Sequence, residues 1–393
     1  MTPAARVQAA IEILDEVIEA AKREGAPADR IIADYFKQRR YAGSKDRRAV
    51  RELVYSAIRI CGEMPQCGRA AMLAFAEQDA SLPALFDGST HAPAPIGKSE
   101  QAAKPGVAPD WLVERLVAAS IAGDELAALM GRAPLDVRVN ALKSDRSTVD
   151  LPEAGETLAA PQALRFDGGT QVEQWPAWRD GLIEVQDHGS QLVCQALGAS
   201  PGETVIDLCA GAGGKSLALA AAMDNRGRII ASDVDKRRLG NLPPRAERAG
   251  AAVIEPLLLD PGKELEALSD VAGAADLVLV DAPCSGTGTW RRKPEAKWRL
   301  TPERLAKFAQ TQDNLLDIAA QLVKPGGRIG FVTCSLLDEE GAARIDAFLA
   351  RHAGWSAEAP ALPLGRQYGK GTRLTPFHDG TDGFFVAMLH SAC

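Results

Sequence analysis

ETVIDLCAGAGGKSLALAAAM, residues 203–223, reads as strand, turn and helix in immediate succession. Val205, Ile206 and Leu208 supply a short apolar run of the kind that forms a buried strand. Gly211, Gly213 and Gly214 then allow a sharp turn and a close backbone approach to a ligand. The helix that follows opens with free amide hydrogens and a positive dipole end, suited to a carboxylate or phosphate. Working outward, RIIA at 228–231 is a second strand that ends near Asp233, at the offset expected for an acid gripping ribose hydroxyls; Asp235 competes for that role. Further strands are expected at 252–257, 276–281, 328–333 and 383–390, with helices between most of them. Strands alternating with helices predict an α/β fold, a doubly wound and mainly parallel sheet. The last run follows its loop too closely for a crossover helix and suits an antiparallel strand.

Two of the strands end in cysteines, Cys284 in DAPCSGTG and Cys334 in VTCS. Neighbouring strands lie about 4.8 Å apart, so adjacency would bring both thiols over the crevice where open α/β sheets bind ligands. One thiol can attack an unsaturated carbon while the other takes the proton that must leave before the adduct breaks down; methylation of a pyrimidine at carbon 5 needs both roles. A rival reading is a P-loop, with Gly214-Lys215-Ser216 in place and LVLVD ending in Asp281 as a magnesium-holding acid. Cys209 stands where that loop needs its first glycine, and the paired cysteines have no use in a nucleotide hydrolase.

The run DLCAGAGGK, SDVDKRRL, LLLD, LVDAPCSGTG, KPG and TCS resembles the Nop/Sun family of RNA cytosine-5 methyltransferases, in particular its RsmB-like branch. The similarity extends from about Val137 to His390 through VRVNALK, VQDHGSQ and DGFFVAML. It implies a class I methyltransferase Rossmann-like sheet and S-adenosylmethionine as cofactor. It also implies that Cys334 is the nucleophile and that Cys284 assists proton removal and release. A reversed assignment, with Cys284 attacking as in DNA cytosine-5 enzymes, is the alternative. Asp281 would bond the ring nitrogen and exocyclic amine, acting as a general acid if burial raises its pKa. Lys215 matches a family lysine near the target base, and the Pro283 carbonyl would select cytosine. The cofactor would be held by Cys209, Ala210, Gly211, Ala212, Gly213, Gly214 and Lys215, with Asp233 on the ribose, Asp260 on the adenine amine, and Asp281 beside it. Ala212 departs from the proline usual in that turn.

A net charge of −7 and a pI near 5.5 argue against indiscriminate polyanion binding, so an RNA partner must be met by local basic patches. Lys37, Arg39, Arg40, Lys45, Arg47, Arg48 and Arg51 form one such cluster; Arg291, Arg292, Lys293, Lys297 and Arg299 form another, interleaved with Trp290 and Trp298, whose rings can stack on bases or pack the loop. Arg138, Asn140 and Lys143 are the family's RNA-contact candidates in a small α/β unit, with structural capping as the other role for Asn140. Residues 1–75 show helical periodicity and resemble the NusB-like domain of RsmB-like enzymes. Residues 76–135 read as linker plus a helix over 111–130, residues 136–185 as the small unit, and residues 186–393 as the methyltransferase domain. Seven cysteines without regular spacing fit reduced thiols in a cytoplasmic protein. No signal-peptide pattern, membrane span or metal-ligand spacing is read, and the expected state is a monomer. Ribosomal RNA of the small subunit is the expected substrate, transfer RNA the alternative, and a non-catalytic RNA-binding assembly factor the reading from another class.

Overall fold

Apolar side chains recur every three or four residues through the first 76 positions, and each recurrence folds as a helix with one buried stripe. The computed structural model describes residues 1–23 and 25–392, and forms α1 (Pro3–Lys22), α2 (Ala28–Lys37), α3 (Ser44–Ile60) and α4 (Gly68–Ala76) there. Thr2 starts α1: its Oγ1 accepts the Ala5 N–H at 3.1 Å, and Pro3 fills a position where a missing amide hydrogen costs nothing. Val7, Leu14 and Val17 of α1 pack with Ile32, Phe36, Val54 and Ile58 in one core. Gly68 meets α1 so closely that a Cβ there would stand 2.2 Å from the Ile11 carbonyl oxygen.

Residues 82–109, read as a linker or irregular connection, carry one short 3-10 turn at Pro83–Leu85 and are tied into the helical unit: Leu82 and Phe86 are buried in the same core and Arg69 holds Glu100 at 2.9 Å. The helix expected over 111–130 is two helices, α5 (Asp110–Ala118) and α6 (Asp124–Ala128). Ser120 and Gly123 break it by taking positive φ angles of 65° and 56°. A second departure concerns Thr289–Thr301, which folds with Met1–Gly131 as one compact unit. Trp298 enters the helical core, Glu295 Oε1 accepts the Ala28 N–H at 3.0 Å, and the Arg59 guanidinium donates to the Arg291 carbonyl at 3.3 Å. Trp290 and Trp298 are 0% and 6% exposed, so packing, and not base stacking, accounts for them.

Arg132–Gly288 and Pro302–Cys393 make up the second unit. Its smaller sheet is antiparallel, in the order β2-β3-β1-β4: β1 (Leu135–Val139), β2 (Glu156–Thr157), β3 (Ala163–Phe166) and β4 (Ile183–Val185), with α7 (Pro176–Arg179) before the last. Val137, Val139, Phe166, Trp175 and Ile183 form its core. Residues 136–185 are nevertheless part of this unit: Glu184, 1% exposed, is paired with Arg245 at 2.9 Å and with Arg248.

The larger sheet begins after α8 (His188–Ala196), with β5 (Thr204–Asp207), α9 (Gly214–Ala222), β6 (Arg228–Asp233), α10 (Lys236–Leu239), α11 (Leu242–Ala249), β7 (Ile254–Leu258), α12 (Glu264–Ala267) and β8 (Ala275–Asp281). It continues through α13 (Pro302–Leu322), β9 (Val323–Thr333), α14 (Ala342–Arg351), β10 (Ser356–Glu358), β11 (Arg366–Tyr368), β12 (Gly371–Leu374), α15 (Pro376–Asp379) and β13 (Phe384–His390). Strand order is β11-β12-β13-β9-β8-β5-β6-β7, with β10 also on β13. β5 to β9 are mutually parallel, and β13 runs antiparallel to β9, as its short approach predicts. β10, β11 and β12 are short additions that the sequence pattern does not announce. Chain order reverses on either side of β5, whose parallel neighbours are β6 and β8; a doubly wound sheet opens its ligand crevice at such a point.

Candidate active site

The glycine-rich turn leaves the carboxyl end of β5 and enters α9. Gly213 has φ 82°, and a Cβ there would lie 1.7 Å from Leu242 Cδ1, so no other residue fits without displacement. Gly214 has no atom within 4 Å of where a side chain would begin, so the turn borders open space at the helix start. Asp233, 5% exposed at the end of β6, accepts the Gly211 N–H at 2.8 Å and the Asp235 N–H at 2.7 Å. Asp235 instead caps α10, accepting the Arg237 and Arg238 N–H groups at 2.8 and 3.0 Å. Of the two candidates for the ribose, only Asp233 is turned into the glycine loop. Ala212 offers its carbonyl to Arg245 at 2.6 Å, and Asp260 is exposed just after β7.

Asp207, which sequence reasoning passed over, lies beneath this turn. Ser216 Oγ donates to its Oδ2 at 2.6 Å, while Oδ1 is buried without a partner. Burial, with the Asp281 charge adding to it, outweighs the Ser216 hydrogen bond and pushes its carboxyl up to about 7.

β8 and β9 are neighbours in register, Asp281 beside Val332. Their ends therefore bring the two cysteines together, with Cys284 Sγ and Cys334 Sγ 3.4 Å apart. The Cys284 thiol is pushed well above its ordinary value, first by the hydrogen bond with Cys334 and then by burial. Lys215 Nζ, on the first turn of α9, meets Asp281 Oδ2 at 2.6 Å. Burial opposes the ammonium, but Asp281, then Cys194 and Cys334, hold it above the usual lysine value. Asp281 is thus the ion-pair partner of Lys215. Cys194 on α8 is a third thiol in this neighbourhood, pushed up to about 11 by burial.

Each of the two cysteines is followed by a serine, and the two serines pair, Ser285 Oγ with Ser335 Oγ at 3.2 Å. Thr287 Oγ1 joins Ser335 at 3.2 Å and accepts the Leu336 N–H at 2.9 Å. Beneath them Glu340, 0% exposed, accepts the Ser285 N–H at 2.8 Å and the Gln312 amide at 3.2 Å on Oε1, and the Ser285 hydroxyl on Oε2. Gln312 also donates to the Pro283 carbonyl at 2.9 Å. None of these bracing residues stands out in the sequence; the CS pairs and the DEE triplet after TCS are the only signals.

Of the remaining candidates, Arg138, Asn140 and Arg291 are buried. Arg138 is 7% exposed and donates to Gln186 Oε1 at 2.7 Å; Asn140, 2% exposed, donates to the Gly181 and Ala249 carbonyls at 2.9 and 2.8 Å. Lys143 Nζ is hydrogen-bonded to the Asp180 and Arg248 carbonyls at 3.0 and 2.6 Å. Asn140 and Lys143 thus tie the end of β1 to the carbonyls that close α11, and Arg138 is held beside β4, so that buried polar groups find partners. Arg291 is buried; Lys293 is exposed and Arg292 partly so. Among the described residues no group of acidic, histidine and cysteine side chains could hold a metal ion.

A mainly parallel sheet with a glycine turn after its first strand, an acid ending the next and an antiparallel closing strand defines a class I methyltransferase. Residues 194–390 match the family described as 16S rRNA methyltransferase RsmB/F, and the chain belongs to it. It is 35% identical over 302 residues to a probable ribosomal RNA small subunit methyltransferase B of Synechocystis, the match covering 72% of this chain and 67% of that protein. The corresponding protein of Xylella fastidiosa is 36% identical over 289 residues, with 72% of this chain and 68% of that one covered. The crystal structure of PH0851 superposes over 99% of both chains, with a TM-score of 0.78 and 27% identity. The cofactor is S-adenosylmethionine, and the open, glycine-lined turn beside Asp233 fits it. The chain is an S-adenosylmethionine-dependent RNA methyltransferase of this family.

Proposed function

We propose that the protein methylates carbon 5 of cytosine in small-subunit ribosomal RNA through a covalent cysteine–cytosine adduct. The observation that carries this reading is the 3.4 Å contact between Cys284 and Cys334 at the ends of adjacent strands. Methyl transfer to an exocyclic amine or a hydroxyl needs no such pair. Carbon 5 of cytosine is too weak a nucleophile to be methylated unaided, and a thiolate bonded to carbon 6 makes the ring enamine-like. When bound, S-adenosylmethionine supplies the methyl group that carbon 5 takes.

Cys334 acts as the nucleophile. The negative charge that its attack drives onto the ring is met by the Lys215 ammonium, fixed against Asp281. Asp281 and the Pro283 carbonyl accept from the exocyclic amine, a pattern that uracil cannot satisfy. Cys284 then receives the carbon-5 proton, the carbon 5–carbon 6 double bond re-forms, and the Cys334 sulfur leaves with its bonding pair. Gly211, Gly213 and Gly214 hold the methionine end of the cofactor, Asp233 the ribose and Asp260 the adenine amine. RNA outside the target base is met by exposed basic residues, Lys293 among them and Lys37, Arg40, Lys45, Arg48 and Arg51 of the helical unit.

The test separates the cysteines. Cys334→Ala should abolish methylation and leave no covalent protein–RNA species. Cys284→Ala should lose turnover yet accumulate a covalent complex with methylated RNA on a denaturing gel. Trapping by Cys334→Ala alone would reverse the two roles, and full turnover by both variants would end the proposal.

A further inference from the structure

Tyr35 and Tyr55 are buried and Tyr368 is half-buried, whereas Tyr41 keeps 74% of its surface exposed. The turn that carries it, between α2 and α3, is an anchored one. The Arg39 N–H donates to the Phe36 carbonyl at 3.2 Å, and the Ala42 N–H to the Arg39 carbonyl at 3.1 Å. Ala42, 2% exposed, is seated in the helical core, and its carbonyl accepts from Arg47 Nε at 2.9 Å. A buried neighbour on one side and a closed turn on the other hold the Tyr41 ring in solvent, where it forgoes the stabilisation that burial would bring. Charge gathers around it. From Lys37 to Arg51 the sequence has seven basic residues and one acid, Asp46, which Arg6 holds at 2.8 Å. Lys37 is paired with Asp34 and Arg39 with Glu12. The side chains of Arg40, Lys45 and Arg48 are exposed and have no ion pair or hydrogen bond among the described residues. Arg40 precedes the ring directly in the chain, and Lys45 and Arg48 lie three residues apart at the start of α3, hence on one face.

We propose that Tyr41 is a base-stacking platform: the α2–α3 turn takes an unpaired nucleotide of the RNA substrate, with its base on the phenol ring and the flanking phosphates on Arg40, Lys45 and Arg48. In a chain of net charge −7, cations left without counter-charges around one turn mark a place for a polyanion. The bare ring beside them selects among polyanions, because a base offers it a π-face. A duplex keeps its bases stacked on one another, so the surface favours single-stranded or looped RNA. The inference rests on RNA being the substrate and is independent of the cysteine chemistry.

Fluorescence anisotropy of the full chain with a labelled single-stranded RNA of mixed sequence, and with the duplex of the same sequence, reads the proposal. S-adenosylmethionine is left out, so that no turnover enters. Tyr41→Ala should weaken single-strand binding by about tenfold and leave duplex binding unchanged. Tyr41→Phe keeps the ring and should bind as the wild type does. Arg40→Gln, Lys45→Gln and Arg48→Gln together should lower the slope of log affinity against log salt by about 2 on the single strand, the share of three phosphate contacts. All four side chains are exposed, so the variants keep the fold, and equal melting temperatures check this. Unchanged single-strand binding by Tyr41→Ala, an equal loss in Tyr41→Phe, an equal loss on the duplex, or an unchanged salt slope overturns the proposal. Wild-type protein that binds neither RNA would overturn it together with the reading of RNA as substrate. A Cys284→Ala variant that traps no RNA while the Tyr41 effect persists would sink only the cytosine-5 chemistry.

Discussion

Asp207 carries its proton at a pH where most carboxylates have lost theirs. Its folded pKa is raised to about 7 from an ordinary value of 3.8, chiefly by burial. The folded state therefore binds more protons than the unfolded state between those values. Stability from this group is full below about pH 3.8 and is lost as pH rises through about 7. Thermal melts of the ligand-free protein should show a fall in stability from pH 5 to pH 7.5 that is smaller in Asp207→Asn, whose amide cannot ionise; equal falls would show that Asp207 does not titrate there. At the neighbouring acid, Asp233→Ala should weaken S-adenosylmethionine binding by on the order of 2 kcal/mol, the loss of charge-assisted hydrogen bonds. Asp235→Ala should lower stability slightly as a lost helix cap, with little change in affinity. Calorimetry in which Asp235→Ala is the weaker binder would exchange the two assignments.

The turn between β5 and α9 is the element on which the proposed cofactor site depends. Gly213→Ala forces a side chain onto a left-handed backbone 1.7 Å from Leu242. It should destabilise the protein by about 1–3 kcal/mol and loosen cofactor binding, whereas Gly214→Ala, with open space around it, should spare the fold; equal melting temperatures for the two variants would contradict this account. Elements of this kind were legible in the sequence because a strand, a glycine turn and a helix each leave a local pattern. The central strands were readable from apolar runs, and β9 differs chiefly in starting at Val323 instead of 328. The strands β10 to β12 were not, being three or four residues long and held by pairing with β13 and one another more than by any period of their own. In the site, Cys284, Cys334, Lys215 and Asp281 carry motifs. Glu340 and Gln312 matter through contacts across 28 to 55 positions of chain, which no local pattern encodes. Arg138 was ambiguous for the same reason, since a basic side chain on a strand looks alike whether it faces solvent or the interior, whereas the capping role weighed for Asn140 is seen in its acceptance of the Leu142 N–H at 3.2 Å.

At the scale of the molecule, the helical unit is discontinuous, built from Met1–Gly131 and Thr289–Thr301. Trp298 is the anchor of the returning segment, with only 6% of its surface exposed and its ring in the core of α1 to α4. Trp298→Ala should cost about 3–5 kcal/mol, expressed as faster amide hydrogen exchange in α1, α3 and α4 with β5 to β9 nearly unchanged. Uniform loss of protection in both units would mean instead that they unfold as one. The discontinuity also imposes a timetable on synthesis. The ribosome must deliver the small sheet and β5 to β8 of the larger one before it delivers Trp298, and at ~5–20 residues per second that interval is on the order of ten to thirty seconds. For that time the nascent helices have a vacancy where an indole belongs, and they are natural clients for a chaperone that shields apolar surface.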